Sequence, residues 1–192
     1  MTDAMPLLLK ADGWCEGVLH CVSPHSDARP ANSEIDLLVI HNISLPPGQF
    51  GGSEIIDLFC NRLDTSRHPA LADLAGVRVS SHFLIRRDGQ IIQFVSCLAR
   101  AWHAGLSRFG QRERCNDFSL GIELEGSDFT PFDDSQYQSL VQLSRALACH
   151  FPLQAVCGHQ HIAPLRKTDP GPYFDWQRYQ TECQLALQFP LP

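Results

Sequence analysis

The sequence predicts an α/β fold, a single domain over residues 1–192 with a central mixed β-sheet flanked by helices. Three observations carry that expectation. Residues 35–40 (IDLLVI) are a nearly continuous β-favouring apolar run, the pattern of a strand covered on both faces. Residues 134–151 repeat apolar side chains at helical spacing, with Tyr137, Leu140, Val141, Leu143, Ser144, Leu147 and Ala148 on one stripe. Around them the segments alternate: strand, helix, hairpin, strand, long helix, strand, loop, helix. That order suits a sheet covered by helices.

The bulk numbers agree. A chain of 192 residues favours one domain, and at that size it buries roughly 70% of its unfolded surface. Hydrophobic residues make up 44%, an ordinary globular share. The net charge of −6 excludes general nucleic-acid binding, which needs a basic face. The N-terminal MTDAMPLLLKADGW has neither a basic n-region nor a long apolar stretch, so no export signal is read there. No run approaches the roughly 20 apolar residues of a membrane helix, so no membrane association is expected. The eight cysteines are scattered without a CxxC pair, which reads as reduced thiols in a cytoplasmic protein.

Taken in order, residues 1–34 read as an irregular lead-in anchored by Trp14 and Val18, and the catalytic core spans about 35–180. The run 35–40 is the first buried strand, and His41-Asn42 stand at its end, where α/β proteins place their sites. SLPPGQFGG is a loop, after which Ser53 reads as the N-cap of a helix bearing Ile55, Ile56, Phe59 and Leu63. Residues 64–76 are loop, with His68 on the surface. Residues 77–85 and 90–95 are two strands joined by an Arg86–Gly89 hairpin turn, which Asp88-Gly89 marks. His82, mid-strand, reads as structural. A short strand over 97–102 leads into AWHAG, where Trp102-His103 either meets a ligand or lies on the surface. Arg108, Arg112 and Arg114 form either a solvated basic loop or an anion clamp. In the strand 118–126, Leu120, Ile122 and Leu124 share one face, while Glu123 and Glu125 share the other with Gly121. An acid half-buried in a central sheet needs a reason. General base is one reason and a salt bridge to an arginine is the other; the first is favoured for Glu123, a structural role for Glu125. The long helix follows, then a short strand at 155–157, a loop, and a last helix over 174–189.

The loop CGHQHIAPLRKTDPGPYFDW concentrates ionisable groups in a segment too rich in proline and glycine for one helix. Zinc catalytic sites use three protein ligands and keep a fourth position for water. His41, His159 and Asp169 are such a set, at the sheet edge. His161 competes with His159, because spacing cannot choose between them. Two histidines and a carboxylate favour zinc over calcium or magnesium. Glu123 is placed to move the proton of an attacking water, and Lys167 to stabilise an oxyanion. A Cys157–His159 thiol hydrolase is the rival chemistry, and no GxSxG is present.

Five collinear segments carry a resemblance: HNIS with LPPGQFGG at 41–52, SSHFLIRRDG at 80–89, AWHAG at 101–105, RERCNDFSLGIELEG at 112–126 and GHQHIAPLRKTDPGP at 158–172. Over roughly residues 14–180 the chain resembles the zinc-dependent N-acetylmuramoyl-L-alanine amidases, a family that includes phage amidases and peptidoglycan recognition proteins. Within it, the likeness is to the cytoplasmic branch that recycles 1,6-anhydro-muropeptides. The resemblance implies that His41, His159 and Asp169 hold Zn2+, which decides between His159 and His161. It implies that Glu123 is the catalytic acid/base and Lys167 the oxyanion-stabilising cation. It places Asn42, Arg78, Trp102 and Arg114 near the substrate groove, with the arginines toward the stem-peptide carboxylates. It leaves His161 without an assigned role. The implied reaction cuts the amide between the lactyl group of 1,6-anhydro-N-acetylmuramic acid and L-alanine. The implied partner is a small muropeptide, with a monomer as the expected state. The alternative is a muropeptide-binding module of the same fold that does not catalyse.

Overall fold

In the computed structural model, which describes residues 7–190, the apolar run becomes a strand one in from the edge of a six-stranded sheet. In chain order the strands are β1 (Leu19–His20), β2 (Ser26–Ala28), β3 (Leu37–Ile43), β4 (Phe83–Ile85), β5 (Ile91–Gln93), β6 (Ala99–Ala101), β7 (Arg108–Phe109), β8 (Arg112–Glu113), β9 (Ser119–Glu125) and β10 (Ala155–Gly158). The helices are α1 (Glu54–Phe59), α2 (Asp134–Ala148), α3 (His159–Ile162) and α4 (Trp176–Cys183). The main sheet runs β1-β5-β4-β9-β3-β10. Its strands β4, β9, β3 and β10 are parallel, and β5 turns back antiparallel on β4. The sheet is therefore mixed, as the sequence predicts, and the Arg86–Gly89 turn joins β4 to β5.

The two faces of this sheet are covered differently. Leu38 and Ile40 of β3, Leu120, Ile122 and Leu124 of β9, and Phe83 and Ile85 of β4 pack with α2, which contributes Tyr137, Leu140, Val141, Leu143 and Leu147. Gln136 ties the start of α2 to the sheet by donating to the carbonyls of Ile85 and Glu125. The other face is apolar only at its two sides. Leu37 and Val39 pack with Phe118, Cys157 and Ile162. Leu84 and Ile92 pack under Ile55, Leu58 and Phe59 of α1. Between these patches runs β9 with Ser119, Gly121, Glu123 and Glu125 pointing to the same side. That polar seam ends at the C-terminal ends of the parallel strands, where open α/β sheets carry their sites.

Several expectations change. The lead-in is not irregular: β1 pairs with β5 at the sheet edge, β2 pairs with β6, and Leu9 and Cys15 are core; residues 1–6 lie outside the described residues. His41 and Asn42 lie within β3, which runs on to Ile43. Ser53 precedes α1 but does not cap it with its side chain, because its hydroxyl donates to Asp57 Oδ2 at 2.7 Å. Residues 64–76 contain two short 3-10 turns. Only Phe83–Ile85 of the 77–85 segment is strand, since Ser80 N–H bonds Trp102 O across to the next segment. The three-arginine loop is the β7–β8 hairpin. Its clamp closes on an internal anion: Arg112 grips Asp36 at 2.8 and 3.0 Å while lying over Phe118. The last helix stops at Cys183, because Gln184 takes a left-handed φ of 53°. The chain beyond it lies along β10, with Val156 N–H donating to Gln188 O and covering an open strand edge.

Leu140 is fully buried between α2 and the sheet, away from the polar seam. Leu140→Ala is expected to lower unfolding stability in urea by about 2–5 kcal/mol while leaving metal stoichiometry unchanged.

Candidate metal centre and active site

The strand register assembles the centre. Glu123 of β9 stands opposite His41 of β3, and Gly158 of β10 stands opposite Ile40. The chain leaving β10 therefore delivers His159 beside His41, with ring centroids 4.6 Å apart. Asp169 returns to the same point from the loop after α3, its Oδ2 lying 2.9 Å from His41 Nδ1 and 3.2 Å from His159 Nδ1. Two small-residue requirements hold this return. A Cβ on Gly158 would lie 2.5 Å from Pro170 Cδ, and one on Gly171 would lie 2.5 Å from Asp128 Oδ1.

The hydrogen bonds around the two rings fix where their protons sit. The Ser119 hydroxyl donates to Cys115 O at 2.6 Å, so Ser119 Oγ accepts from His103 Nε2–H at 3.2 Å. His103 Nδ1 is then an acceptor, and it takes His41 Nε2–H at 3.0 Å. His159 Nε2 lies 3.0 Å from Ala104 O, which only accepts, so that nitrogen also carries its proton. Both Nδ1 lone pairs and a carboxylate oxygen consequently converge, all within 4.8 Å of one another. A second proton on His41 would relieve the convergence, but burial opposes it and pushes the imidazole down to about 4. Two imidazole nitrogens and a carboxylate oxygen converging in this way fit a divalent metal, with nitrogen ligands that favour the zinc class.

Glu123 adjoins this cluster with little access to solvent, 8% exposed, and its Oε2 has no hydrogen-bond partner. Burial raises its carboxyl well above the ordinary value, the nearby Asp169 adds to that, and Lys167 partly counters it. A buried acid whose proton affinity is raised, beside a metal-ligand cluster, has the character of a general acid/base. Lys167 is half-buried on the loop after α3, and its charge is felt at both Glu123 and His41.

The remaining expected residues fall into distinct places. Asn42 Nδ2 donates to Asp128 Oδ1 at 2.7 Å and Pro170 O at 3.0 Å, pinning the Asp169–Gly171 turn to β3. Trp102 stacks on His25 at 6.0 Å. Arg78 is exposed on the irregular approach to β4, and Arg114 is exposed with Nε 3.2 Å from Asp117. His161 is not in the cluster; its Nδ1 accepts from Gly158 N–H at 2.8 Å and its ring packs on Trp176. His82 is structural as expected, accepting from Gly121 N–H. Glu125 accepts from the Gly51 and Arg87 N–H groups, so it anchors the LPPGQFGG loop. Cys157 is buried among apolar residues, which raises its thiol far above the thiolate range and removes the thiol-hydrolase alternative. Sequence reasoning missed Arg29 of the lead-in. Its guanidinium, pushed down to about 10 by burial, donates to the carbonyls of Asn116, Asp117, Ser119 and Cys97. No sequence pattern marks it, because its partners lie 68 to 90 residues away.

This fold and this cluster define a class. Residues 31–172 match the family model described as N-acetylmuramoyl-L-alanine amidase, and the chain belongs to that family. More particularly, it is 53% identical over 175 residues to the 1,6-anhydro-N-acetylmuramyl-L-alanine amidase AmpD of Escherichia coli K12, covering 90% of this chain and 96% of that one. A crystal structure of an AmpD derivative superimposes with a TM-score of 0.87 at 50% identity, over 91% of this chain and 99% of that one. The amidase AmiD of E. coli, solved with its substrate anhydro-N-acetylmuramic acid-L-Ala-D-gamma-Glu-L-Lys, matches at a TM-score of 0.58 and 27% identity, over 93% of this chain and 66% of that one.

With metal removed by a chelator, the urea midpoint is expected to fall between pH 7 and pH 5. Unfolded imidazoles take up protons near 6.5, whereas buried His41, His82 and His103 resist protonation well below that. The unfolded chain then binds more protons, and stability is lost as pH falls through this window. Glu123 opposes the trend, since burial raises its native carboxyl above the unfolded value, but one group does not outweigh three. The net slope is on the order of 2 kcal/mol per pH unit. A flat or inverted profile would contradict the neutral-imidazole assignment.

Proposed function

We propose that this chain is a zinc-dependent hydrolase that cuts the amide between the lactyl group of 1,6-anhydro-N-acetylmuramic acid and the L-alanine of muropeptides, in peptidoglycan recycling. The observation that carries the reading is the convergence of His41 Nδ1, His159 Nδ1 and Asp169 Oδ2 beside a buried Glu123 whose proton affinity is raised. The chain's identity with AmpD over nine-tenths of its length supports the substrate class. The anhydromuropeptide bound to AmiD supports a small soluble ligand. Eight cysteines, all free, support a reducing cytoplasmic setting. Among the described residues, no helix is long and apolar enough to cross a membrane.

His41, His159 and Asp169 would hold the ion. Bound there, zinc would supply Lewis-acid polarisation of the carbonyl and a water acidic enough to attack near neutral pH. Glu123 takes a proton from the attacking water and delivers it to the departing amine of L-alanine, so the carboxyl ends the cycle as it began. The burial that raises its affinity for a proton suits both halves of that transfer. Lys167 lies close enough to oppose that burial electrostatically, and it neutralises the oxyanion of the tetrahedral intermediate. Asn42 holds Pro170 and Asp128, which keeps Asp169 at the ion. The exposed guanidinium groups of Arg78 and Arg114 meet the carboxylates of the stem peptide.

Asp169→Ala is expected to lose zinc and muropeptide cleavage together; full activity in that variant would remove Asp169 from the ligand set. Glu123→Ala is expected to keep one zinc per chain and lower kcat about 10²–10⁴-fold, followed by chromatographic release of the stem peptide. Lys167→Ala is expected to cost about 3 kcal/mol in the transition state with zinc retained. Tight muropeptide binding without cleavage by the zinc-loaded wild type would favour the non-catalytic binding module.

A further inference from the structure

We propose that the dipeptide His103-Ala104 is one positioning device that fixes the proton-bearing nitrogen of both metal-ligand histidines and thereby sets the metal affinity. The inference rests on the metal-site reading above and extends it to residues that touch neither metal nor substrate. His103 is buried behind His41, ring centroids 5.1 Å apart and edge-on, with its Nδ1 accepting from His41 Nε2–H. One residue on, the carbonyl of Ala104 accepts from His159 Nε2–H. It also accepts from Arg166 at 3.1 Å, so the carbonyl is oriented from a second direction. Each ring thus presents Nδ1 to the ion because its far nitrogen is spoken for by the same two residues. An imidazole held in the wrong tautomer offers a proton where the ion needs a lone pair.

The dipeptide is itself held. The N–H groups of His103 and Ala104 both donate to Asn116 Oδ1, at 3.2 and 2.8 Å. Asn116 O receives Arg29 Nη1 at 2.9 Å. Ser119 and Cys115 decide the His103 tautomer. The ring lies in the gap left by Gly121, where an added Cβ would come within 2.5 Å of it. This accounts for a glycine in the middle of a buried strand, where it otherwise weakens the sheet. It also gives the lead-in a role: Arg29 braces the turn that carries Asn116.

The test uses the full chain and zinc itself. Zinc affinity is measured by competition with a chromophoric chelator for wild type, His103→Leu and His103→Asn. Leucine fills the space without an acceptor; asparagine places Oδ1 near the position of the imidazole Nδ1. His103→Leu is expected to weaken zinc binding about 10–100-fold and His103→Asn to recover most of that loss. Equal losses in both variants, or none in either, would overturn the positioning role. Should the variants fail to fold, nitrogen-15 histidine NMR of the zinc-loaded wild type reads the same claim. His41 and His159 are each expected to carry the proton on Nε2; coordination of either ring through Nε2 would overturn it. A wild type that binds no zinc would instead sink the function proposed above. Wild-type zinc binding with variants of unchanged affinity sinks this inference alone.

Discussion

The constraint on which the site depends is the crowding of acceptors in a place that water barely reaches. Two imidazole nitrogens and a carboxylate oxygen point at one spot, while the far nitrogen of each ring is engaged by His103 or Ala104. Such an arrangement is costly on its own and becomes favourable when a divalent cation completes it. The hydrogen bonds to His103 and Ala104 maintain the crowding, because they occupy the other side of each ring. The polarity of Glu123 belongs to the same environment. A carboxyl this buried resists ionising, so the group beside the ligands is able to hold a proton and release it.

The sheet makes this possible through an uneven face. One side of the sheet is continuously apolar and carries α2, which supplies the stability of a conventional core. The opposite side has two apolar patches with the β9 seam between them. Gly121 keeps the seam low enough for His103 to lie across it. Glu123 sits one step further along, and Glu125 at the end anchors the Gly51 loop. Four alternate positions on one strand thus hold His103, make room for its ring, face the ligand cluster and attach a loop in turn.

The sequence carried the long elements well. A strand buried on both faces, an amphipathic helix and an Asp-Gly hairpin each have a local physical signature, and β3, α2 and the β4–β5 turn fall where those signatures lie. It carried the short ones poorly. β1 and β2 are two and three residues long, and they are strands only because β5 and β6 offer them hydrogen bonds. The last helix was read too long because its apolar residues continue past Cys183; their partners are β10 and the core, not a further helical turn. From its neighbours in sequence Arg112 reads as either a solvated basic residue or an anion clamp; the anion it grips, Asp36, is 76 residues away.

By itself the sequence determined the inventory: two histidines, two acids and a lysine on strand ends and a proline-rich loop, within motifs that resemble one family. Only the tertiary structure decided which of them meet. His159 and His161 are equivalent by spacing, but one faces Asp169 and the other caps its own helical turn with Gly158. Trp102-His103 reads as one pair, either ligand-facing or on the surface, yet its members diverge, the tryptophan to His25 and the histidine behind His41. The reason is physical. A residue's chemistry is local, but its hydrogen-bond partner and its access to water are set by chain segments that the fold brings from far away.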